Sequence, residues 1–230
     1  MVGLAAIQLS SGAVSALRIA GPAFFLGLQG ASINTARGIV ARQELGGLSP
    51  LPFLSLFTNC IVWGLYGFLK KDNTVLIPNC IGVLSGASCC IAYQRQAKRE
   101  AKSFPTGLYA AASVVVLMAS LLALQGNHQW IGSIGCGLAV LVMGSPLATL
   151  STVIKSKSTA TLPFATSFMG FCNSLSWSAY GLLVANDVMI YGPNLVGLLL
   201  SSIQMALFGL FGLPPAKLPL GGKVANKPLF

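Results

Sequence analysis

The sequence predicts an all-helical membrane protein in which seven transmembrane helices form two parallel three-helix bundles joined by a linker helix (3+1+3). Three observations predict this fold: the composition, the long uncharged segments and an internal repeat. Hydrophobic residues make up 54% of the 230 residues, only 8% are charged, and the mean hydropathy is +0.77. Soluble domains carry roughly 25% charged residues, so we expect this chain to fold within a lipid bilayer.

The predicted helices follow in chain order. A helix needs about 20 apolar residues to cross the roughly 30 Å hydrocarbon core of a bilayer. The first segment, 19–36, is short and polar at its end, but it lacks the basic region that opens a signal peptide and is interpreted as a helix. Six longer segments are uncharged and apolar on every side, unlike the alternating strands of a β-barrel: 49–69, 74–93, 106–124, 129–154, 162–185 and 188–216.

An internal repeat predicts how these helices are arranged. The string WGLYGFLKKDNTVLIPN at 63–79 returns as WSAYGLLVANDVMIYGPN at 177–194, offset by 114 residues before one inserted residue and by 115 after it. Upstream, Pro52 pairs with Pro163, and Ile39 in the first loop pairs with Ile154. Each copy covers three helices, and the helix between them restores parallel orientation. We expect repeats at 1–105 and 125–212, a linker helix at 106–124 and a disordered cytosolic tail at 213–230.

The distribution of charge predicts the orientation, since short cytoplasmic loops collect lysine and arginine. One set of loops holds only Lys70 and Lys71. The other set and the tail hold Arg37, Arg42, Arg95, Lys98, Arg99, Lys102, Lys155, Lys157, Lys217, Lys223 and Lys227. We expect the N-terminus outside and the tail in the cytosol, in the plasma membrane, with the Golgi and vacuolar membranes as alternatives. The net charge of +10 suits anionic lipid headgroups, and no nucleic-acid motif is present.

The reactive side chains indicate neither a metal site nor a disulfide. The cysteines all fall inside predicted helices, without metal-ligand spacing, and are interpreted as packing residues. His128 and Asp72 are expected in solvated outer loops. No cofactor is predicted. The cysteines concerned are Cys60, Cys80, Cys89, Cys90, Cys136 and Cys172.

Two asparagines and two tryptophans recur at equivalent places in the repeats. Asn79 and Asn194 either join helices by hydrogen bonds or bind a polar substrate in a wet cavity, because an unsatisfied amide in hydrocarbon is costly. Trp63 and Trp177 are either residues of the interfacial aromatic belt or part of the same site. An indole face beside paired amides suits a sugar, whose CH face packs on an aromatic ring while its hydroxyls need hydrogen bonds.

The chain resembles the SWEET family of sugar transporters. The resemblance runs from about residue 21 to residue 212 and is carried by SPLATLSTVIKSKSTATLPF at 145–164, by the two W-x-x-Y-G strings and by the two PN-x-x-G strings. It implies that Trp177, Asn79 and Asn194 lie in the substrate pocket. It also places Trp63 at a pocket position often held by a smaller residue, which favours a monosaccharide over a disaccharide.

The resemblance further implies hinges and a gate. Three prolines match positions that the family uses as hinges toward the cytosolic side: Pro52, Pro146 and Pro163. Pairing Ile39 with Ile154 puts Ala31 where the fourth hinge proline would stand. Three residues resemble the extracellular gate, the alternative being an aromatic belt beside a solvated acid: Tyr66, Tyr180 and Asp187.

These features predict a bidirectional facilitative sugar transporter that works by alternating access. Its partners would be a mono- or disaccharide and the lipid bilayer, and a homo-oligomer is left open. A proton-coupled amino-acid or organic-anion carrier is the nearest alternative. A seven-helix signalling receptor has no reason to repeat a three-helix unit, and an enzyme would need a nucleophile or metal cluster within the membrane.

Overall fold

The computed structural model describes residues 9–213, with the backbone alone for residues 142–148. These residues form seven helices: α1 (Ser11–Arg42), α2 (Leu51–Leu69), α3 (Asn73–Arg99), α4 (Thr106–Leu124), α5 (His128–Ser156), α6 (Phe164–Leu183) and α7 (Val188–Phe211). The predicted all-helical 3+1+3 architecture is confirmed. The predicted tail lies outside the described residues, except for Leu213.

The helices differ in how apolar they are. By length and composition, α1, α2, α3, α4 and α7 could each cross a membrane. Helix α6 is 20 residues long but carries a run of small polar side chains that includes Ser174, Ser176 and Ser178. Helix α1 is longer than its predicted segment and carries Arg37 and Arg42 in its final turns. Hydropathy predicts only the part of a helix that lies in hydrocarbon, whereas the helix itself continues as far as its backbone hydrogen bonds.

The helices of each bundle pack in the same order. In the first bundle α1 and α2 both pack against α3, and in the second α5 and α6 both pack against α7. Between the bundles, α1 packs against α6 and α2 against α5, while the linker α4 lies against α2 and α5. The first helix of each bundle therefore meets the second helix of the other, as an approximate two-fold relation requires.

The repeated Trp-x-x-Tyr-Gly string builds the same turn in both bundles. A Cβ on Gly67 would lie 2.8 Å from the backbone nitrogen of residue 76 in α3, and a Cβ on Gly181 would lie 2.7 Å from that of residue 191 in α7. Each turn then passes through a left-handed residue, Lys71 at φ 54° and Asn186 at φ 48°. The string recurs because one close helix-to-helix turn is used twice.

Buried residues form three clusters. The tyrosine-end cluster lies beside the α2–α3 and α6–α7 turns and joins both bundles: Val62, Tyr66, Val75, Ala119, Ile131, Trp177, Tyr180 and Ile190. The first basic-end cluster belongs to the first bundle: Ala36, Ile39, Leu45, Phe53, Cys89, Tyr93 and Ala97. The second belongs to the second bundle: Leu150, Val153, Leu162, Leu207 and Phe208. The bundles thus share a core at one end and have separate cores at the other.

Burial corrects the predicted alignment of the first helices. Ile39 is fully buried and lies in α1, not in a loop, whereas its predicted partner Ile154 is 55% exposed. Val153, one residue earlier, is fully buried. The offset in these helices is therefore 114, as in the tryptophan strings, and the inserted residue lies further along each repeat. Pro146 then corresponds to Ser32 instead of Ala31.

The cysteines differ in burial. All six are free; Cys60 and Cys89 are buried among other side chains, whereas Cys80 is exposed. Cys60 lies in α2 where α3 crosses it, and a Cβ on Gly82 would lie against its sulfur. Cys60 and Cys89 therefore act as packing residues.

Candidate functional site

Two crossed hydrogen bonds close the tyrosine end. The Tyr66 hydroxyl in α2 donates to Oδ2 of Asp187 at 2.7 Å. The Tyr180 hydroxyl in α6 lies 2.9 and 2.8 Å from the two carboxylate oxygens of Asp72. Each bond joins the second helix of one bundle to the start of the third helix of the other. Together they link the bundles twice at the same end of the molecule.

Each aspartate also caps the helix that follows it. Oδ1 of Asp72 accepts from the backbone N–H of Thr74 at 2.9 Å, and Oδ1 of Asp187 accepts from that of Met189 at 3.0 Å. A helix N-terminus favours a carboxylate because its first backbone N–H groups lack partners within the helix. The caps hold both acids in place to receive the tyrosines.

The surroundings of the two acids differ. Asp187 is only 5% exposed, and its Oδ2 lies 3.1 Å from Nζ of Lys70. The position equivalent to Lys70 in the second repeat is Val184, which cannot neutralise Asp72 in the same way. Asp72 is half-buried. The two tyrosine–aspartate pairs therefore match in their hydrogen bonds, and among the described side chains only Asp187 also forms an ion pair.

Two residues are wrongly assigned to solvated loops by the sequence interpretation. Asp72 receives Tyr180 and caps α3. His128 begins α5, with its ring centroid 6.3 Å from that of Tyr66. The signal for Asp72 was present in the repeat, since it lies 115 residues before Asp187.

The two tryptophans lie in matching places beneath the tyrosines. Trp63 meets the Tyr66 ring edge-on with centroids 5.5 Å apart, and Trp177 meets Tyr180 edge-on at 5.8 Å. Trp177 belongs to the tyrosine-end cluster, and Trp63 packs against it. The structure therefore brings both indoles into the region where the bundles meet, and they do not form a belt facing lipid.

The asparagines lie one helical turn further from the tyrosine end. Nδ2 of Asn79 donates to the Val75 carbonyl, and Nδ2 of Asn194 donates to the Ile190 carbonyl, both at 2.8 Å. Since Val75 and Ile190 belong to the tyrosine-end cluster, both asparagines lie one helical turn further along α3 and α7, toward the basic end. Oδ1 of Asn79 is buried without a hydrogen-bond partner, so it can still accept one from another molecule.

Further polar atoms in the helices are buried without a partner. Such atoms cost free energy unless something hydrogen-bonds to them. Sequence reasoning singled out none of these residues, because isolated Ser, Thr, Asn and Gln side chains in an apolar helix carry no spacing pattern. They are Nε2 of Gln29, Oγ1 of Thr58, Oδ1 of Asn173 and Oγ of Ser178.

Two cavities lie away from the predicted substrate residues. One cavity of about 460 Å³ lies at the basic end beside Asn34 and Arg42. Another of about 510 Å³ lies between α2, α3 and α4 and has an apolar lining. Trp63, Trp177 and the two asparagines line neither of them. Their role in binding stays a prediction.

The predicted hinge prolines differ in position. Pro52 lies in the first turn of α2, and Pro163 is the residue before α6. A proline at either place sacrifices no helical hydrogen bond. Pro146 lies inside α5, within the stretch described by its backbone alone. Among the described side chains, the prolines inside helices are Pro22 in α1, Pro78 in α3 and Pro193 in α7.

At the basic end, the hydrogen bonds between loops and helices that the structure describes stay within each bundle. Oε1 of Glu100 accepts from the backbone N–H of Leu45 at 2.6 Å and from Nε2 of Gln96 at 3.0 Å. These bonds, with that from Gln96 as the larger cause, lower the pKa of Glu100 below its usual value. In the second bundle, Oγ1 of Thr159 donates to the Gly212 carbonyl at 2.8 Å. Each bundle thus fastens its own first loop to the end of its own third helix.

The described part of the chain holds no candidate set of metal ligands. Within residues 9–213, no three His, Cys, Asp or Glu side chains lie close enough together to hold a metal ion. The arrangement offers instead two aromatic faces, two amides and two crossed tyrosine–aspartate hydrogen bonds, which suits reversible binding of a neutral polar molecule.

Comparisons with known proteins agree with the internal repeat. A family model described as "Sugar efflux transporter for intercellular exchange" matches residues 15–101 and again residues 129–216. The chain is 33% identical over 170 residues to the Caenorhabditis elegans protein named sugar transporter SWEET1, covering 74% of this chain and 56% of that protein. It therefore spans little more than half the length of that relative.

Other similar proteins are covered more fully. The chain is 33% identical over 193 residues to the sugar transporter SWEET1 of Drosophila pseudoobscura, covering 82% of this chain and 83% of that one. The solved structure titled "The 3.7 A resolution structure of a eukaryotic SWEET transporter" superposes with a TM-score of 0.74 at 25% identity. That match covers 86% of this chain and 96% of the other.

Proposed function

This chain belongs to the SWEET family, and we propose that it is a sugar transporter that moves its substrate in either direction by facilitated diffusion and alternating access. The observation that carries the proposal is the unequal joining of the two bundles. They share a core and two crossed hydrogen bonds at the tyrosine end, but they have separate cores at the basic end. This is the arrangement expected of a conformation closed at one end and able to open at the other.

The contacts indicate how the cycle would run. Opening the tyrosine end separates Tyr66 from Asp187 and Tyr180 from Asp72, and hydrogen bonds to charged groups contribute about 1.5–3 kcal/mol each. Closing the basic end would bring its two clusters together and bury apolar surface there. The gain at one end offsets the loss at the other, so two conformations can lie within a few kcal/mol of each other.

The proposed binding residues lie between these two ends. The indoles of Trp63 and Trp177 offer apolar faces, and Asn79 and Asn194 lie one helical turn toward the basic end from Val75 and Ile190 of the tyrosine-end cluster. The unpartnered Oδ1 of Asn79 supports a ligand that donates a hydrogen bond, as a sugar hydroxyl does. Two bulky indoles narrow the space, so we propose a monosaccharide as the preferred substrate.

The proposed orientation follows from charge. The basic end carries the arginines and lysines of the α1–α2, α3–α4 and α5–α6 loops, which places it in the cytosol. The tyrosine end then faces outward, with the plasma membrane as the proposed location. The conformation described here would be the one closed to the outside.

Sugar counterflow in proteoliposomes tests the function. Vesicles loaded with unlabelled glucose should take up labelled glucose faster than empty vesicles, and labelled sucrose more slowly. Asn194→Ala should abolish the exchange, since it removes one of the two amides. The matched control is Gln125→Ala, an exposed residue just after α4, which should leave exchange unchanged. Equal exchange by Asn194→Ala and the parent would show that the binding site is misplaced, and no exchange of any sugar would refute the function.

A further inference from the structure

Each tryptophan of the site packs on a glycine of the opposite bundle. A Cβ built on Gly21 would lie 3.0 Å from Cε2 and 3.1 Å from Cδ2 of Trp177. A Cβ built on Gly135 would lie 2.8 Å from Cε2 and 2.9 Å from Cζ2 of Trp63. In both cases the atoms approached belong to the fused rings of the indole, which cannot bend away as a flexible side chain can.

The two contacts are related by the repeat. Gly21 and Gly135 lie 114 residues apart, as do Trp63 and Trp177. One contact joins α1 to α6 and the other joins α5 to α2, and these are the helix pairs through which the bundles meet. Both glycines are buried. The repeat therefore uses the same glycine–indole contact twice, once in each direction between the bundles.

A methyl group at either position would not fit the closed tyrosine end. Carbon atoms pack best at about 3.5–4.0 Å, so a Cβ at Gly135 would need Trp63 to retreat by roughly an ångström. The indole is confined on another side by Tyr66, whose ring it meets edge-on. The simplest relief is for α2 to move away from α5, which is the direction in which the tyrosine end would open.

We propose that Gly21 and Gly135 are positioning residues that set the closed state of the tyrosine end, each acting as the seat of the opposite bundle's tryptophan. The proposal rests on the proposed function in taking the bundles to separate at this end. A side chain at either seat shifts the equilibrium toward the conformation open at the tyrosine end. Because the same indoles form the faces of the binding site, the seats connect the shape of that site to the closing of the gate.

A distance measurement between the bundles tests the proposal without sugar. Phe68 and Leu182 lie at equivalent places near the ends of α2 and α6 and are 65% and 47% exposed. Spin labels carried there by a genetically encoded keto amino acid leave the native cysteines untouched. Gly135→Ala should raise the ratio of long to short distances by about 5- to 150-fold, the range that corresponds to 1–3 kcal/mol of overpacking. Gly21→Ala should do the same.

Matched controls are available in the same helices. A Cβ on Gly137 in α5 or on Gly30 in α1 would meet nothing within 4 Å. Gly137→Ala and Gly30→Ala should therefore keep the parental distances while making the same change in helix propensity. A shift in these controls equal to that of Gly135→Ala and Gly21→Ala would overturn the proposal, as would parental distances in the two seat variants.

A second substitution at the contacting tryptophan distinguishes a glycine that seats that tryptophan from a glycine that is needed only for folding. Trp63→Leu should restore the short distance in Gly135→Ala but not in Gly21→Ala, and Trp177→Leu should do the reverse. If a seat variant does not fold, its paired double variant is measured instead, and failure of that variant to fold would refute the proposal. A distance shift with paired rescue in a protein that exchanges no sugar would uphold the seats and refute the proposed function.

Discussion

Asp72 and Asp187 accept hydrogen bonds from equivalent tyrosines, but among the described side chains only Asp187 also forms an ion pair, with Lys70. Asp187 is buried and lies 3.1 Å from Lys70, whereas Asp72 is half-buried. Asparagine at position 187 would leave Lys70 without its carboxylate partner and would remove the charged acceptor of the Tyr66 hydrogen bond, which is stronger than a neutral one. We expect Asp187→Asn to slow sugar exchange by at least about ten-fold, the effect of about 1.4 kcal/mol, and Asp72→Asn to slow it less.

Sugar binding provides the control for these two variants. Equilibrium affinity, measured by calorimetry, should stay near the parental value in both, since neither acid lies among the proposed binding residues. Equal slowing by the two substitutions would show that Lys70 has no part in the gate. A matching loss of affinity would move the acids from the gate into the binding site.

The predicted preference for a small sugar depends on Trp63, whose indole narrows the proposed binding site. Its indole fills the space between α2 and α5, and serine at this position would leave a cavity on the pathway. We expect Trp63→Ser to admit sucrose in the counterflow assay. Trp130 lies in α5 with 63% of its surface exposed, so Trp130→Ser is the control and should not change selectivity. Unchanged sucrose exclusion in Trp63→Ser would contradict the argument that Trp63 narrows the site.

At the residue scale, the sequence predicts the functional residues that occupy equivalent places in the two repeats. Tyr66, Tyr180 and Asp187 were proposed as a gate, and the structure brings them into hydrogen-bonded pairs once Asp72 is added. The contacts of Gly21 and Gly135 could not be predicted, because they depend on which helix of one bundle meets which helix of the other. A repeat reveals equivalence between positions but not contact between them.

At the element scale, the three hinge prolines should not contribute equally. Pro146 lies inside α5, where a proline removes one helical hydrogen bond and weakens the helix locally. Pro163 precedes α6 and removes none. We expect Pro146→Ala to slow exchange several-fold while affinity changes little, and Pro163→Ala to have the smaller effect. Thermal unfolding of both variants distinguishes a stiffened helix from a misfolded one. A larger effect of Pro163→Ala would place bending at the loop and not within α5.

The helix boundaries show where composition stops being informative. The linker α4, Thr106–Leu124, begins and ends where predicted, because Pro105 precedes it and Gly126, with a φ of 69°, lies just after its C-cap residue. Helix α1 extends to Arg42 and α3 to Arg99, beyond the predicted ends at 36 and 93. Hydropathy reports where a helix leaves the hydrocarbon, whereas backbone hydrogen bonding decides where it ends. The two coincide only when a turn-forming residue lies at the membrane surface.

At the scale of the whole molecule, the repeat predicted the architecture but not the conformation. Counting three helices per repeat and one between them gives two parallel bundles, and this was confirmed. Which end is closed could not be predicted, since one sequence must support both conformations of the proposed transporter at similar free energy. The distribution of buried clusters supplies this information, because among the described side chains only the tyrosine-end cluster contains residues of both bundles.

The last prediction is that transport is passive, and it follows from where charge can be gained and lost. Coupling to protons requires a group on the pathway that binds a proton differently in the two conformations, usually an acid or histidine within the membrane. The acids and the histidine all lie in loops, at helix caps or at a helix start: Glu44, Asp72, Glu100, Asp187 and His128.

Proteoliposomes with an imposed proton gradient and equal sugar on both sides provide the measurement. We expect no net accumulation, because the sugar gradient alone drives flux through a uniporter. With the proton gradient removed, flux should follow the sugar gradient and reverse when that gradient reverses. Asp187→Asn is the informative variant, since it removes the more buried of the two acids at the proposed gate and should change the rate in both experiments without creating accumulation. Accumulation of sugar against its gradient in the parent would instead identify a proton-coupled carrier.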